Sequence, residues 1–311
     1  MGVNLTTNFY SPLRYPGGKG KLSFYIQLLF EYNLLTDGHY IEPYAGGASV
    51  SLALLFNEYA SEIHINDYDY NVYCFWKSAI DRTEELCELI DSTPVNMETW
   101  RQQKEIQAKP SSHSQLKVGF STFFLNRTNR SGILKAGVIG GNGQTGEWKI
   151  DARYNKSELI NRITKIGRYK ERINLYNLDA VELIKQLKSK LPKKSLYYFD
   201  PPYYKKGKEL YINFYDHSDH VKVSSMIRSL KNKFWLVSYD NNEHIKELYS
   251  SFRQQVYDLN YHAHTANKGS EILIFSDNLL VPSLTNPTDK NQIKFFSQNG
   301  LALTKGSWQT S

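Results

Sequence analysis

An apolar segment that ends in an acid, two prolines and an aromatic residue is the strongest chemical signal in the sequence. Residues 196–203 read Leu-Tyr-Tyr-Phe-Asp-Pro-Pro-Tyr, which predicts a buried strand followed by Asp200, Pro201, Pro202 and Tyr203. The prolines fix the backbone and leave carbonyls without local N–H groups, so the turn is an acceptor surface. We expect Asp200 and the Pro201 carbonyl to accept the hydrogens of a nucleobase amino group while Tyr203 stacks on the base. The alternative is a proline-stiffened strand exit with an incidental acid.

A glycine turn near the N-terminus is the second signal. Residues 39–43 predict a short strand, residues 44–47 a turn, and residues 48–59 an apolar helix. Glycines in such a turn let the backbone approach a ligand at the helix N-terminus. Asp67 ends the next strand 21 residues after Gly46. At this spacing, an acid forms hydrogen bonds to ribose hydroxyls in nucleoside-binding α/β folds. The alternative is that Asp67 caps the following helix.

The elements that must position these residues form an alternating strand and helix pattern. This pattern predicts an α/β fold with a doubly wound sheet whose ligands lie beyond the carboxyl ends of the strands. The last two predicted strands are joined by a polar loop too short for a crossover helix, so we expect them to pair antiparallel. Strands are predicted at 39–43, 62–66, 173–177, 195–199, 234–238, 254–259 and 271–275.

Positive charge is concentrated in the middle of the chain. Residues 101–172 carry 15 Lys and Arg against 5 Asp and Glu, although the net charge of all 311 residues is only +7. Such a concentration is typical of a phosphate-binding surface, and a solvated basic face without a partner is the alternative. The strand and helix alternation also lapses between residues 73 and 172, so we predict an inserted, mainly helical, basic subdomain there.

Within this insert, a polar cluster has the donors and acceptors that read base edges in the major groove, namely Asn126, Arg127, Asn129, Arg130 and Ser131. Other basic residues are better suited to phosphates, which hold the register without reading sequence: Lys135, Lys149, Arg153, Lys156 and, in the last loop, Lys268. The alternative for Arg127 or Arg130 is a purely structural ion pair with a buried carboxylate.

Several classes of protein are excluded by composition. The two cysteines, Cys74 and Cys87, lack the spacing of a zinc site or a disulfide framework, and no apolar run is long enough to span a membrane. These features predict a soluble cytoplasmic protein without membrane contact. His262 and His264 form an HxH pair in the loop of the final hairpin, but no third ligand follows at a recognisable spacing, so we predict no metal site.

The order RYPGGK, EPYAGG, ND, a basic insert with LNR, and DPPY resembles the Dam-type DNA adenine-N6 methyltransferases of the alpha group over roughly residues 10–278. The resemblance implies a Rossmann-like sheet with an antiparallel final hairpin and a target-recognition insert. It also implies S-adenosyl-L-methionine as methyl donor and a flipped adenine in double-stranded DNA as acceptor. Cytosine N4 or RNA adenine methylation, and a catalytically silent nucleic-acid-binding module, are the alternatives.

The resemblance also assigns residues. Catalysis falls to Asp200, Pro201, Pro202 and Tyr203. Cofactor contacts fall to Tyr15, Lys19, Glu42, Pro43, Tyr44, Gly46, Gly47, Asp67 and Asp200, with Asp179 as a weaker candidate for the adenine end of the cofactor. The implied division is a catalytic domain at 10–72 and 173–280, a target-recognition insert at 73–172, and a tail of unknown role at 281–311.

This chain departs from the family where Thr128 and Asn129 follow the LNR motif, because members that read GATC continue with an aromatic residue and Asn-Gly. Recognition of GATC is therefore not implied. A restriction-modification or phage-related setting is compatible with the resemblance, and a cognate restriction endonuclease would then act separately.

Overall fold

A computed structural model describes residues 9–15, 18–204, 215–258 and 269–306. Its centre is a seven-stranded sheet in the order β3-β2-β1-β4-β5-β7-β6. The first five strands run parallel, and β7 pairs antiparallel with both β5 and β6. The strands are β1 Gly38–Glu42, β2 Ala60–Asn66, β3 Ile173–Tyr176, β4 Ser195–Phe199, β5 Phe234–Asp240, β6 Arg253–Asp258 and β7 Ser270–Phe275.

The predicted Rossmann-like fold and antiparallel final hairpin are therefore confirmed. The strand order reverses between β1 and β4, the point at which α/β sheets bind ligands beyond the carboxyl ends of their strands. Glu42 ends β1, Asp67 follows β2 and Asp200 follows β4, so three acids predicted from separate parts of the sequence lie at one sheet edge.

The α-helices in chain order are α1 Ser23–Tyr32, α2 Ser49–Phe56, α3 Tyr70–Asp81, α4 Thr83–Ser92, α5 Met97–Ala108, α6 Gln115–Thr128, α7 Lys156–Arg168, α8 Ala180–Leu187, α9 His217–Arg228, α10 Glu243–Leu248 and α11 Lys290–Gly306. Within the described ranges, no helix combines the length and the apolar composition needed to cross a lipid bilayer.

The stretch between β2 and β3 is helical, as expected. Phe75 on α3 stacks on Phe123 of α6, with ring centroids 6.0 Å apart. Apolar side chains of α3, α4, α6 and α7 join those of α1, α2 and the sheet in one buried cluster. The helical stretch is thus packed directly on the seven-stranded sheet, and this packing fixes its position relative to the carboxyl ends of the strands.

The tail for which the sequence suggested no role packs against the first helix. Ile293 of α11 is fully buried, and the Tyr32 hydroxyl on α1 donates to the carbonyl of Phe296 at 3.3 Å. Burial of α11 side chains shields the apolar surface of α1.

Candidate functional site

A cavity of about 520 Å³ lies at the carboxyl ends of β1, β2 and β4. It contains most of the predicted cofactor residues. Its walls include Tyr15, Lys19, Glu42, Pro43, Tyr44, Gly47, Asp67, Asp179, Asp200 and Pro202.

The glycine turn forms one wall of this cavity and requires glycine at residue 46. Gly46 has a φ of +47°, and a Cβ placed there would lie 2.6 Å from the ring of Tyr15. The Trp76 indole donates to the Gly46 carbonyl at 2.8 Å, which fixes the turn to α3. A larger residue at position 46 would therefore displace Tyr15 from the cavity wall.

Asp67 holds the glycine turn against the end of β2. Its carboxylate accepts the Gly46 N–H at 3.0 Å and the Asp69 N–H at 2.9 Å. Burial, with a smaller contribution from Asp69, raises the pKa of Asp67 to about 7. The helix-cap alternative for Asp67 is wrong, because Asp69 caps α3 by accepting the Asn71 N–H.

Glu42 is buried beneath the cavity. Its carboxylate accepts hydrogen bonds from the backbone N–H and the hydroxyl of Ser51 on α2. Burial raises the pKa of Glu42 to about 8, although the Ser51 bonds oppose this shift. A carboxyl group in such a site accepts a cationic ligand readily, since the ligand supplies the missing counter-charge.

Three further cofactor candidates, Pro43, Tyr44 and Asp179, also make contacts within the protein. The Asn66 amide donates to the Pro43 carbonyl at 2.8 Å, and the Tyr44 hydroxyl lies 3.1 Å from the Tyr215 hydroxyl. Asp179 caps α8 through Oδ1, which accepts the N–H groups of Val181 and Glu182. The structure thus gives Asp179 a capping role in addition to its place on the cavity wall.

Asp200 follows β4 directly and is oriented by two donors. The Ser238 hydroxyl donates to Asp200 Oδ1 at 2.6 Å, and the Lys19 ammonium lies 3.0 Å from the same oxygen. Burial raises the pKa of Asp200 and Lys19 opposes that shift, leaving the pKa above its ordinary value. Among the described residues, Asp200 Oδ2 accepts no hydrogen bond, so this oxygen is available to a ligand.

Lys19 lies beside Asp200 and Tyr203, although the sequence placed it only against the cofactor. Its ammonium is 3.3 Å from Glu271 Oε1 and donates to the Tyr203 hydroxyl at 3.1 Å. Burial acts to lower the pKa of Lys19, but Asp200 and Glu271 outweigh it and hold the pKa above its ordinary value. Lys19 therefore remains an ammonium between two carboxylates.

Glu271 was missed as a site residue. The Tyr203 hydroxyl donates to Glu271 Oε1 at 2.7 Å, and the Tyr257 hydroxyl donates to the other oxygen. Tyr203 is therefore anchored through its hydroxyl, and its ring remains half-buried. A lone acid at the start of an otherwise apolar strand, Ser270–Phe275, is the signal that would have identified Glu271.

Two asparagines predicted to read bases are buried and engaged within the protein. The Asn126 amide accepts the Arg14 N–H and donates to the Arg14 and Gly132 carbonyls, at 2.7–2.9 Å. Asn129 accepts the Trp100 indole N–H at 2.7 Å and donates to two backbone carbonyls. The assignment of Asn126 and Asn129 to base reading is corrected here, because breaking these buried bonds would leave unpaired polar groups.

The remaining insert residues differ in their exposure. Arg127 is half-buried and donates to the Arg153 carbonyl at 2.7 Å, and no carboxylate of the described residues forms an ion pair with it. Burial and the neighbouring arginines lower its pKa to about 10. Arg130, Ser131 and Lys135 are exposed.

Lys149 is also exposed, but its ammonium donates to the carbonyls of Gln144 and Gly146, both at 2.9 Å. It therefore closes the glycine-rich loop at 137–146. Lys268, together with His262 and His264, lies outside the described residues.

Comparison with known proteins gives one family match. The model of the D12 class N6 adenine-specific DNA methyltransferases matches residues 15–264. No curated protein sequence matches the chain significantly. Among solved structures, the chain is similar to protein LPL1258 from Legionella pneumophila str. Philadelphia 1, of family DUF519, at 13% identity and a TM-score of 0.31. That alignment covers 94% of this chain and 93% of the other, but so low a TM-score carries no argument. Because the family match spans most of the chain, the protein belongs to the D12 class N6 adenine-specific DNA methyltransferase family.

Proposed function

We propose that this methyltransferase transfers a methyl group from S-adenosyl-L-methionine to N6 of an adenine flipped out of double-stranded DNA, at a specific site. The arrangement around Asp200 carries the proposal. One carboxylate oxygen is held by Ser238 and Lys19, and Asp200 lines the cavity beyond the strand ends. The same catalytic turn contains Pro201, whose carbonyl is the second acceptor.

The adenine amino group is a poor nucleophile because its lone pair is delocalised into the ring. Asp200 Oδ2 and the Pro201 carbonyl would each accept one amino hydrogen, which localises the lone pair on nitrogen. Ser238 and Lys19 keep Asp200 oriented during this step, and Tyr203 provides the ring against which the base stacks. After transfer, the nitrogen bears an extra proton, which Asp200 accepts directly.

The cavity suits the proposed cofactor in its charge. Its walls carry six carboxyl groups, Glu42, Asp67, Asp69, Asp179, Asp200 and Asp219, with Lys19 as the lysine among them. S-Adenosyl-L-methionine has an ammonium, a sulfonium and a ribose diol, all of which carboxylates bind well. When bound, it supplies a methyl group activated by the positive sulfur. Asp67 would hold the ribose, Asp179 the adenine end, and the turn at Glu42–Gly47 the methionine end.

In this proposal, the DNA binds to the exposed basic residues of the insert. Arg130 presents a guanidinium that can pair bidentately with guanine, and Lys135 and Arg153 present charges suited to phosphates. The target amino group is paired in a duplex, so the base must leave the stack to reach Asp200. We place this activity in the cytoplasm, in a restriction-modification or phage-related setting with a separately acting cognate endonuclease.

The test is a methyl-transfer assay with labelled cofactor on double-stranded DNA, single-stranded DNA and RNA. Nuclease digestion and mass spectrometry then identify the modified nucleoside. We expect N6-methyladenine from duplex DNA and none with Asp200→Asn. N4-methylcytosine, or label in RNA alone, would replace the proposed acceptor, and DNA binding without any transfer would show a silent binding module.

A further inference from the structure

One face of the sheet carries polar side chains where a parallel sheet is normally apolar. Parallel strands are buried on both faces and are usually rich in Val, Ile and Leu. Here, strand register places His39 of β1 beside Glu62 of β2, and His64 of β2 beside Asn174 of β3. Side chains alternate along a strand, so His39, Glu62 and His64 share one face. Three residues of types that commonly bind metal ions are therefore grouped on this face of the sheet.

The two histidines and the glutamate are close enough to share an ion. One nitrogen from each ring and one carboxylate oxygen all lie within 4.8 Å of one another. His39 Nδ1 is 3.0 Å from His64 Nε2, and His39 Nε2 is 3.9 Å from Glu62 Oε1. Two nitrogens bound to one tetrahedral zinc ion are roughly 3.4 Å apart, so the rings need to separate by only a few tenths of an ångström. Glu62 has 41% of its side chain exposed and can move inward.

Neighbouring groups form hydrogen bonds to His64 and Glu62 and orient their side chains, as the hydrogen-bond partners of metal ligands do. The Tyr176 hydroxyl lies 3.1 Å from His64 Nδ1, which leaves His64 Nε2 facing His39. The Asn174 amide donates to Glu62 Oε2 at 2.9 Å, so Oε1 is the oxygen nearer the histidines. Metal-binding histidines are typically held in this way by a partner on the other ring nitrogen.

We propose that His39, His64 and Glu62 bind one zinc ion, with solvent at the fourth position. Two imidazoles and one carboxylate form a donor set that suits zinc and gives little affinity for Mg²⁺, which prefers oxygen ligands. The ion would lie outside the cofactor cavity, because none of the three residues lines it. The ion would cross-link β1 to β2. His39 lies three residues before Glu42, which ends β1, and His64 lies three residues before Asp67, which follows β2. The inference is independent of the proposed methyl-transfer reaction.

The experiment is a zinc titration of the full chain after treatment with a chelator, in competition with a chromophoric chelator. We expect one zinc per chain in the wild-type protein and at least tenfold weaker binding in His39→Ala and Glu62→Gln. His113→Ala, which removes a histidine of the insert outside this cluster, should bind as the wild type does. Magnesium chloride should not displace the zinc.

A second measurement needs no variant. Diethyl pyrocarbonate modifies accessible neutral histidines, so zinc should protect His39 and leave His113 reactive, as mapped by mass spectrometry of the wild-type protein. The proposal would be overturned if the wild-type protein bound no zinc, if His39→Ala bound as tightly as the wild type, or if zinc did not protect His39. Each of these results would leave the cluster as a hydrogen-bonded His-His pair.

Discussion

The Lys19 ammonium lies 3.0 Å from Asp200 Oδ1, and it joins the N-terminal segment to the turn after β4. The same ammonium is 3.3 Å from Glu271 Oε1, so one buried cation is shared by two carboxylates, Asp200 after β4 and Glu271 in β7. Removing one partner of such a cluster exposes the other charges to an unfavourable environment. The orientation of Asp200 and the stability of this sheet edge are therefore linked.

Replacing Lys19 should alter the pH dependence of methyl transfer. In Lys19→Met, the pKa of Asp200 rises further because the opposing positive charge is lost. The acid limb of the pH-rate profile should therefore move to higher pH, and the maximal rate should fall by about 10²-fold as a positioned donor is lost. Lys19→Arg retains the charge and should restore the acid limb. Lys21→Met, at an exposed lysine two residues away, serves as control. An unshifted acid limb in Lys19→Met would argue against electrostatic control of Asp200.

Asp200→Asn should reduce methyl transfer by about 10²-fold or more and leave DNA binding intact, because the positioned acceptor is lost without change in shape. Ser238→Ala removes the 2.6 Å bond to Asp200 Oδ1 and should give an intermediate loss. Single-turnover rates and DNA affinity are the measurements. Activity of Asp200→Asn within a few-fold of the wild type would remove Asp200 from the catalytic role.

Asp67→Asn should weaken S-adenosyl-L-methionine binding by roughly 1.5–3 kcal/mol, the range for a charge-assisted hydrogen bond. Asparagine keeps an acceptor for one of the two backbone N–H groups, so the glycine turn is better preserved than with alanine. Calorimetry measures the affinity, and a melting curve checks the fold. Asp81→Asn, at the far end of α3 and outside the cofactor cavity, is the matched control. Equal affinities for Asp67→Asn and Asp81→Asn would contradict the ribose contact.

We expect different residues of the insert to read the DNA sequence and to bind its phosphates. Arg130→Ala should alter base preference at one position and cost about 1–3 kcal/mol there, because a guanine contact is lost. Lys135→Ala should weaken all DNAs alike and reduce the salt slope by about 1. Lys135 is a better position than Lys149 for a test of phosphate binding, because the Lys149 ammonium closes the glycine-rich loop. Binding to a panel of duplexes at several salt concentrations tests both. Lower stability of Arg130→Ala with unchanged methylated sites would assign it a structural role.

Glu42→Gln should stabilise the ligand-free protein at alkaline pH. The pKa of Glu42 is about 8 in the folded state against 4.5 for an ordinary glutamate, so the folded state favours the protonated form. The stability associated with that proton is present below pH 4.5 and is lost as the pH rises through about 8. The stability difference between Glu42→Gln and wild type should therefore grow by about 1.4 kcal/mol for each pH unit between these values. Urea unfolding at pH 5, 7 and 9 measures it, and parallel curves at all three would contradict the raised pKa.

Local sequence was sufficient to predict the framework of the site. Apolar runs followed by Gly, Pro or Asp identified the ends of β1, β2 and β4, because strand periodicity and turn chemistry are properties of a few neighbouring residues. The parallel sheet then brings Glu42, Asp67 and Asp200 together at one edge, since parallel strands have their carboxyl ends on the same side. The family match supports the same framework.

Tertiary structure decided how individual polar side chains are used. Asn126 and Asn129 lie in a sequence that suits base reading, yet Arg14 and Trp100 approach from distant segments and occupy their amides. Glu271 likewise becomes a site residue only because β7 inserts between β5 and β6, near Lys19. A hydrogen-bonding side chain offers the same donors and acceptors to a ligand and to the protein. Burial and the partners brought by folding decide between them, and neither is encoded in the local pattern of residues.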